Sequence, residues 1–147
     1  MRVGMNTEKT ILVVEDNPDD EILTIRALKK ANITNNIVVA RDGQEALTLL
    51  LSGSAPIRPS VILLDLKLPK VNGLEVLRTL KLNDQTKNIP VVVLTSSNQE
   101  KDIVDAYHYS ANSYVRKTVD VELYTSRIST VGTYWITINE EYPQRAS

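Results

Sequence analysis

The chain has 147 residues, no cysteine and a formal net charge of −1, with 42% hydrophobic and 24% charged residues. That length suits one domain with a full core; the missing thiol excludes disulfides, thiolate metal sites and cysteine nucleophiles. The balanced charge offers no concentrated basic surface for nucleic acid. No apolar run reaches the roughly 18 residues that cross a bilayer, and MRVGMNTEK at the start lacks the apolar centre of a secretory signal. No membrane association is expected, and the expected location is the cytoplasm.

Residues 1–8 read as an N-terminal extension, after which TILVV (10–14) has the length and composition of a strand. Asn17-Pro18 supplies a helix cap followed by proline at the first helical position, ahead of a stripe of Ile22, Ile25, Arg26, Ala27 and Leu28. A second strand follows at NIVVA (36–40), then a helical stripe of Ala46, Leu47, Leu50 and Leu51. SGSAPIRPS (52–60) is a short loop leading into SVILL (60–64), after which Asn72 is placed to cap a helix carrying Leu74, Leu77 and Leu80. IPVVVL (89–94) is the fourth strand, Ile103, Val104 and Tyr107 mark a fourth helix, and NSYV (112–115) the fifth strand. The last stripe, Tyr124, Ile128, Val131, Trp135 and Ile138, runs at spacings of four, three, four and three. YWITI (134–138) would also suit a strand, and Gly132 weakens a helix by about 1 kcal/mol. Residues 9–138 form the domain, and 139–147 a C-terminal tail.

The strongest strand runs are continuously apolar, as expected where both faces of a sheet are covered. Their alternation with helices implies an α/β fold, a parallel sheet with right-handed crossovers. A five-stranded doubly wound sheet in the order 2-1-3-4-5 is the economical architecture, with its site at the carboxyl ends of the strands.

Polar residues collect at those ends. Glu15-Asp16 follows the first strand, Asp65 the third, Thr95-Ser96-Ser97 ends the fourth, and the fifth leads through Tyr114 to Lys117. In the order 2-1-3-4-5 the first and third strands are neighbours, so three carboxylates meet on one rim. At ~5 Å and an effective dielectric near 20, each like-charged pair costs about 3 kcal/mol. Protonation or a cation must relieve that repulsion. Lys117 supplies one positive charge, and an oxygen-only donor set with no histidine or cysteine favours a hard divalent ion such as Mg²⁺. Such a rim is prepared for a phosphoryl group: Asp65 attacks phosphorus to give an acyl phosphate, while Lys117 and the Thr95 hydroxyl balance the phosphoryl oxygens. Taken singly, Asp16 reads as a turn residue, Thr95 as a strand end and Lys117 as a surface lysine; only their meeting at four strand ends reverses that reading.

The runs ILVVEDNPDDE, VILLDLKLPKVNGLEVL, IPVVVLTSS and ANSYVRK, in this order and spacing, resemble the receiver domains of two-component response regulators across roughly residues 9–138, with the flavodoxin-like (βα)5 fold. The resemblance implies that Asp65 is the phosphoacceptor, with the phosphohistidine of a sensor histidine kinase as donor. It implies a Mg²⁺ (or Mn²⁺) site made by Glu15, Asp16, Asp65 and the backbone carbonyl of Lys67. Thr95 and Tyr114 correspond to the family's switch pair and Lys117 to its phosphate-pairing lysine. Lys67 and Ser97 stand where the family tunes dephosphorylation through the attacking water. The chain ends about 30 residues after Lys117, so a stand-alone receiver without a DNA-binding output domain is expected. ANSYV, Tyr134-Trp135 and the C-terminal extension resemble the small response regulators paired with cyanobacterial phytochromes. Two departures stand out. Thr118 follows Lys117 where the family usually has proline, and a cis bond there costs roughly 2.5–4 kcal/mol, which leaves the setting of that loop open. Ser110-Ala111 replaces a common Gly-Ala, so a different turn is open there too.

Phe, Tyr and Trp are absent before Tyr107, and all seven aromatics lie from Tyr107 onward. The fourth helix, fifth strand and fifth helix are therefore the expected partner face, in a homodimer anchored by Tyr107, Tyr124 and Trp135. The competing assignment is that these rings pack the fifth helix on the sheet. His108, the one histidine, reads as a surface helix residue. An aspartyl-phosphate phosphatase is disfavoured because Lys67 stands where that class carries a second acid, so no turnover of an outside substrate is expected. A flavin protein is disfavoured because EDNPDD repels phosphate. A phosphorylation-independent adaptor with the same fold remains the alternative, opposed by the intact set of Glu15, Asp16, Asp65, Thr95 and Lys117.

Overall fold

The computed structural model describes residues 9–52 and 55–143, so the N-terminal extension 1–8 and the last part of the tail lie outside the described residues. Strands β1 (Thr10–Val14), β2 (Asn36–Ala40), β3 (Val61–Leu64), β4 (Val91–Thr95) and β5 (Ser113–Arg116) alternate with helices α1 (Pro18–Lys30), α2 (Gly43–Leu51), α3 (Gly73–Leu82), α4 (Glu100–His108) and α5 (Val121–Thr133). The sheet order is β2-β1-β3-β4-β5, and every neighbouring pair is parallel. The architecture is the doubly wound one read from the sequence.

Continuous apolar runs suit these strands because alternate residues feed different cores. Leu12, Val14, Ile62, Leu64, Val91 and Val93 pack with Ala46, Leu50, Val76, Leu77, Leu80 and Ala106 of α2, α3 and α4. Ile11, Val13, Val61, Leu63, Val92 and Leu94 pack instead with Ala27 and Leu28 of α1, Tyr124 and Ile128 of α5, and Ile136. Helix starts follow side-chain chemistry: Asn17, Asp42, Asn72 and Asp120 each accept a backbone N–H of the first turn.

Three helical stripes differ from expectation. On α1, Ile22 and Arg26 face solvent, while Thr24 joins Ala27 and Leu28 inside; the Thr24 hydroxyl is at home there because it shares a 2.8 Å hydrogen bond with the Tyr124 hydroxyl. On α4, only Ala106 is buried, and Val104 and Tyr107 are about half exposed, at 57% and 51%. On α5, Gly132 lies against Leu28 and Ile33, where an added Cβ would come within 2.5 Å of both side chains. The helix then continues as a π-helical segment, Tyr134–Ile138, whose wider turn brings Ile136 into the core and leaves Ile138 outside. Ser110 holds a left-handed φ of 70° without glycine, a conformation strained for a residue with a side chain. Peptide bonds among the described residues are all trans, including the one between Lys117 and Thr118. The start of the tail folds back under the sheet, where Glu141 pairs with Lys9 at 3.2 Å and accepts from Ser60 at 3.0 Å.

Candidate functional site

The site residues lie one step beyond the strands, and the parallel ladder places them. The Glu15 amide donates to the Ala40 carbonyl of β2, the Asp65 amide to Val14 of β1, and the Lys117 amide to Thr95 of β4. Each residue is thereby pinned to its neighbour's last carbonyl before its side chain turns onto the rim.

One carboxylate oxygen each from Glu15, Asp16 and Asp65 falls within a 4.8 Å cluster. Glu15 and Asp65 are buried and Asp16 is exposed. Lys117 projects its ammonium into the cluster, donating to Glu15 Oε1 at 2.6 Å, Asp65 Oδ2 at 2.9 Å and Asp20 Oδ2 at 2.8 Å. Burial pushes Glu15 up to about 7, against the pull of Lys117. Burial alone would lower Lys117, but hydrogen bonds to Asp20 and Glu15 and the Asp65 charge outweigh it and hold the ammonium firmly protonated. A protonated lysine amid crowded acids is the charge arrangement expected where a further cation and an anionic group are to be accommodated. The donor set, three carboxylates with no nitrogen or sulfur ligand, fits a hard divalent cation.

The other expected residues surround this centre. Thr95 is fully buried at the end of β4, and its hydroxyl is without a hydrogen-bond partner. The Tyr114 ring reaches over the β4–α4 loop, where its hydroxyl donates to the Ser97 carbonyl at 3.0 Å. The Ser97 hydroxyl is committed to Asp102 at 2.5 Å. The Lys67 amide donates to Asp65 Oδ1 at 3.2 Å, while its side chain is exposed.

Residues 11–129 match the family model described as the response regulator receiver domain. The chain belongs to that family. This receiver is 37% identical over 135 residues to response regulator Rcp1 of Synechocystis sp., a match spanning 89% of this chain and 91% of that protein. Among solved structures it resembles the phosphorylated cyanobacterial phytochrome response regulator RcpA, with a TM-score of 0.86 at 36% identity over 90% of this chain and 97% of that one. It is equally like the Mn²⁺-bound form of Rcp1, with a TM-score of 0.86 at 36% identity over 92% and 99% of the two chains. The receiver is therefore a response regulator domain of two-component signalling, a class whose input is a histidine kinase.

Of the three expected partner-face aromatics, one is misassigned. Tyr124 is 3% exposed, packed between α1 and α5 with its hydroxyl tied to Thr24, so it is a core residue. Trp135 is half-buried against the α1–α5 core and stacks edge-on with Tyr134 at 5.0 Å. Tyr107 alone is well exposed. Sequence reasoning also passed over Asp20, one of five acids between positions 15 and 21. The available signal was helix phase: with α1 starting at Pro18, Asp20 lies one turn before Thr24 on the inward face.

Proposed function

We propose that Asp65 accepts a phosphoryl group from the phosphohistidine of a sensor histidine kinase, and that the acyl phosphate repositions the α4–β5–α5 face. The carboxylate attacks phosphorus, the P–N bond breaks, and the imidazole departs with its electron pair as the P–O bond to Asp65 forms. A Mg²⁺ or Mn²⁺ ion held by Glu15, Asp16, Asp65 and the Lys67 carbonyl would neutralise negative charge on the incoming phosphoryl oxygens. Lys117 exchanges its bond to Asp65 for one to a phosphoryl oxygen, and the unpartnered Thr95 hydroxyl donates to another. Tyr114, with its hydroxyl on the Ser97 carbonyl, carries the state of that loop towards the outer face. Lys67 and Ser97 flank the path of the water that ends the signal. No outside substrate is turned over, and the protein acts in the cytoplasm.

The observation that carries this reading is the 4.8 Å carboxylate cluster with Lys117 bonded into it. The likeness to Rcp1 and RcpA supports a phytochrome-type kinase as the partner. A homodimer through α4–β5–α5 is the assembly that fits the exposed Tyr107. The first test is incubation with acetyl phosphate and Mg²⁺: wild type forms an acid-stable, hydroxylamine-sensitive adduct and Asp65→Asn forms none. Equal labelling of the two proteins would overturn the assignment. Phosphotransfer profiling against a kinase panel, phytochrome-type kinases included, then tests the partner; transfer from none of the phytochrome-type kinases would reject that link.

A further inference from the structure

We propose that Asp20 is a positioning residue, the carboxylate that keeps Lys117 at the rim when Glu15 and Asp65 turn to other partners. The inference rests on the phosphoacceptor reading of Asp65. An ammonium has three N–H donors, and Lys117 spends all three on Glu15, Asp20 and Asp65. Two of those acids belong to the carboxylate cluster that fits a cation; Asp20 does not. Once Glu15 faces a cation and Asp65 carries phosphorus, Asp20 is the one carboxylate of the three still free to hold the ammonium between α1 and β5.

Its placement suits that task. Asp20 sits one turn before Thr24 on the face of α1 turned towards α5, and the buried Thr24–Tyr124 bond fixes the two helices against each other. The Asp20 side chain is only 30% exposed, and the bond it makes is charge-assisted on both sides. Its neighbours do different things: Asp19 is exposed, and Glu21 takes two hydrogen bonds from the Arg41 guanidinium at 3.1 and 3.0 Å. Asp19 is therefore an internal control, with the same charge, one residue away, in the same first turn.

The test is ¹⁹F NMR of beryllofluoride, a mimic of the acyl phosphate, titrated in saturating Mg²⁺. Asp20→Asn is expected to weaken binding about tenfold, the loss of one well-formed charged hydrogen bond, whereas Asp19→Asn stays within about twofold. The fluorine resonance facing the ammonium shifts in Asp20→Asn and not in Asp19→Asn, a signature that a merely structural change would not give. Lys117→Met weakens binding further, and adding Asp20→Asn to it costs nothing more. Wild-type affinity in Asp20→Asn, or losses that add in the double variant, would overturn the proposal. If the wild type took up no beryllofluoride, the Asp65 reading would fall instead, and Mn²⁺ binding followed by EPR would carry the same cycle. There Asp20→Asn weakens Mn²⁺ binding more with Lys117 present than in Lys117→Met, because the freed ammonium moves further onto Glu15 and Asp65. Equal losses in the two backgrounds would reject the pairing.

Discussion

Glu15 is the residue whose ionisation sits least comfortably in its surroundings. It is 2% exposed and lies beside Asp65, and burial raises it to about 7 despite Lys117. A carboxyl raised above its ordinary value of 4.5 favours its neutral form in the folded state, so its contribution to stability is complete below pH 4.5 and is lost as pH rises towards 7. In EDTA the wild type is therefore expected to lose stability across that window relative to Glu15→Gln, by on the order of 1–3 kcal/mol. Mg²⁺ should stabilise the wild type more at pH 7 than at pH 4.5, since it binds the ionised carboxylate. Urea melts of both proteins at the two pH values check this, and parallel pH slopes would remove Glu15 as the cause. At this scale Asp65, Asp16, Glu15, Thr95 and Lys117 were legible because each follows directly from a strand end. Asp20 was not, because choosing among five clustered acids needs the helix phase and the position of an ammonium that arrives from β5. The direction of the Ser97 hydroxyl was equally hidden, being set by Asp102 on α4.

The helix that follows Asp65 shows how an element tunes the site. Asn72 caps α3 by accepting the Glu75 amide at 3.0 Å, and Gly73 opens the helix. A Cβ on Gly73 would meet the Asp65 carbonyl oxygen at 2.3 Å and Leu66 Cα at 2.4 Å. These are backbone atoms that cannot swing aside, so the Asn-Gly pair is what lets the start of α3 rest on the loop carrying Asp65, the proposed phosphoacceptor. Gly73→Ala is expected to cost about 2–3 kcal/mol through overpacking and to slow acetyl phosphate labelling of Asp65, because the loop must shift to relieve the contact. Denaturant melts read the first effect and labelling rates the second; an alanine variant of wild-type stability and rate would show that the loop yields without consequence. The strands were easy to read since a sheet covered on both faces asks only for apolar residues. The helices were harder. Thr24 is polar yet buried because Tyr124 satisfies it, and Ile136 displaces Ile138 because a π-helical turn alters the period at the end of α5. Neither is visible to a count of apolar spacings.

Across the whole molecule, two cores hold the sheet from either side, and among the described residues half of the exposed large apolar side chains fall on α4 or around the start of α5, the others lying on α1, on α3 and beyond α5. Val104 and Tyr107 of α4 and Val119, Val121 and Leu123 around the start of α5 are all more than 40% exposed. A groove of about 600 Å³ runs between α4, β5 and α5, lined by Ile103, Tyr107, Tyr114, Val115 and Val131 with Arg116 and Arg127 among them. Tyr114 borders this groove with its ring while its hydroxyl holds the Ser97 carbonyl, two residues beyond Thr95. One side chain thus connects the β4–α4 loop to the wall of the groove. If a second copy covers this sector, Tyr107 is its best-placed aromatic anchor, and Tyr107→Ala is expected to weaken self-association tenfold or more, as for a central interface residue worth over about 1.4 kcal/mol. Tyr124→Phe, a change buried in the core between α1, α5 and the sheet, should leave self-association unchanged while costing about 1–2 kcal/mol of folding stability through the orphaned Thr24 hydroxyl. Beryllofluoride with Mg²⁺ should shift the dimer equilibrium in the wild type and lose that effect in Tyr114→Ala, since the link from loop to groove is then cut. Sedimentation at tens of micromolar resolves these outcomes. A monomer under all conditions would reject the dimer, and a beryllofluoride response that survives Tyr114→Ala would assign the coupling to another route.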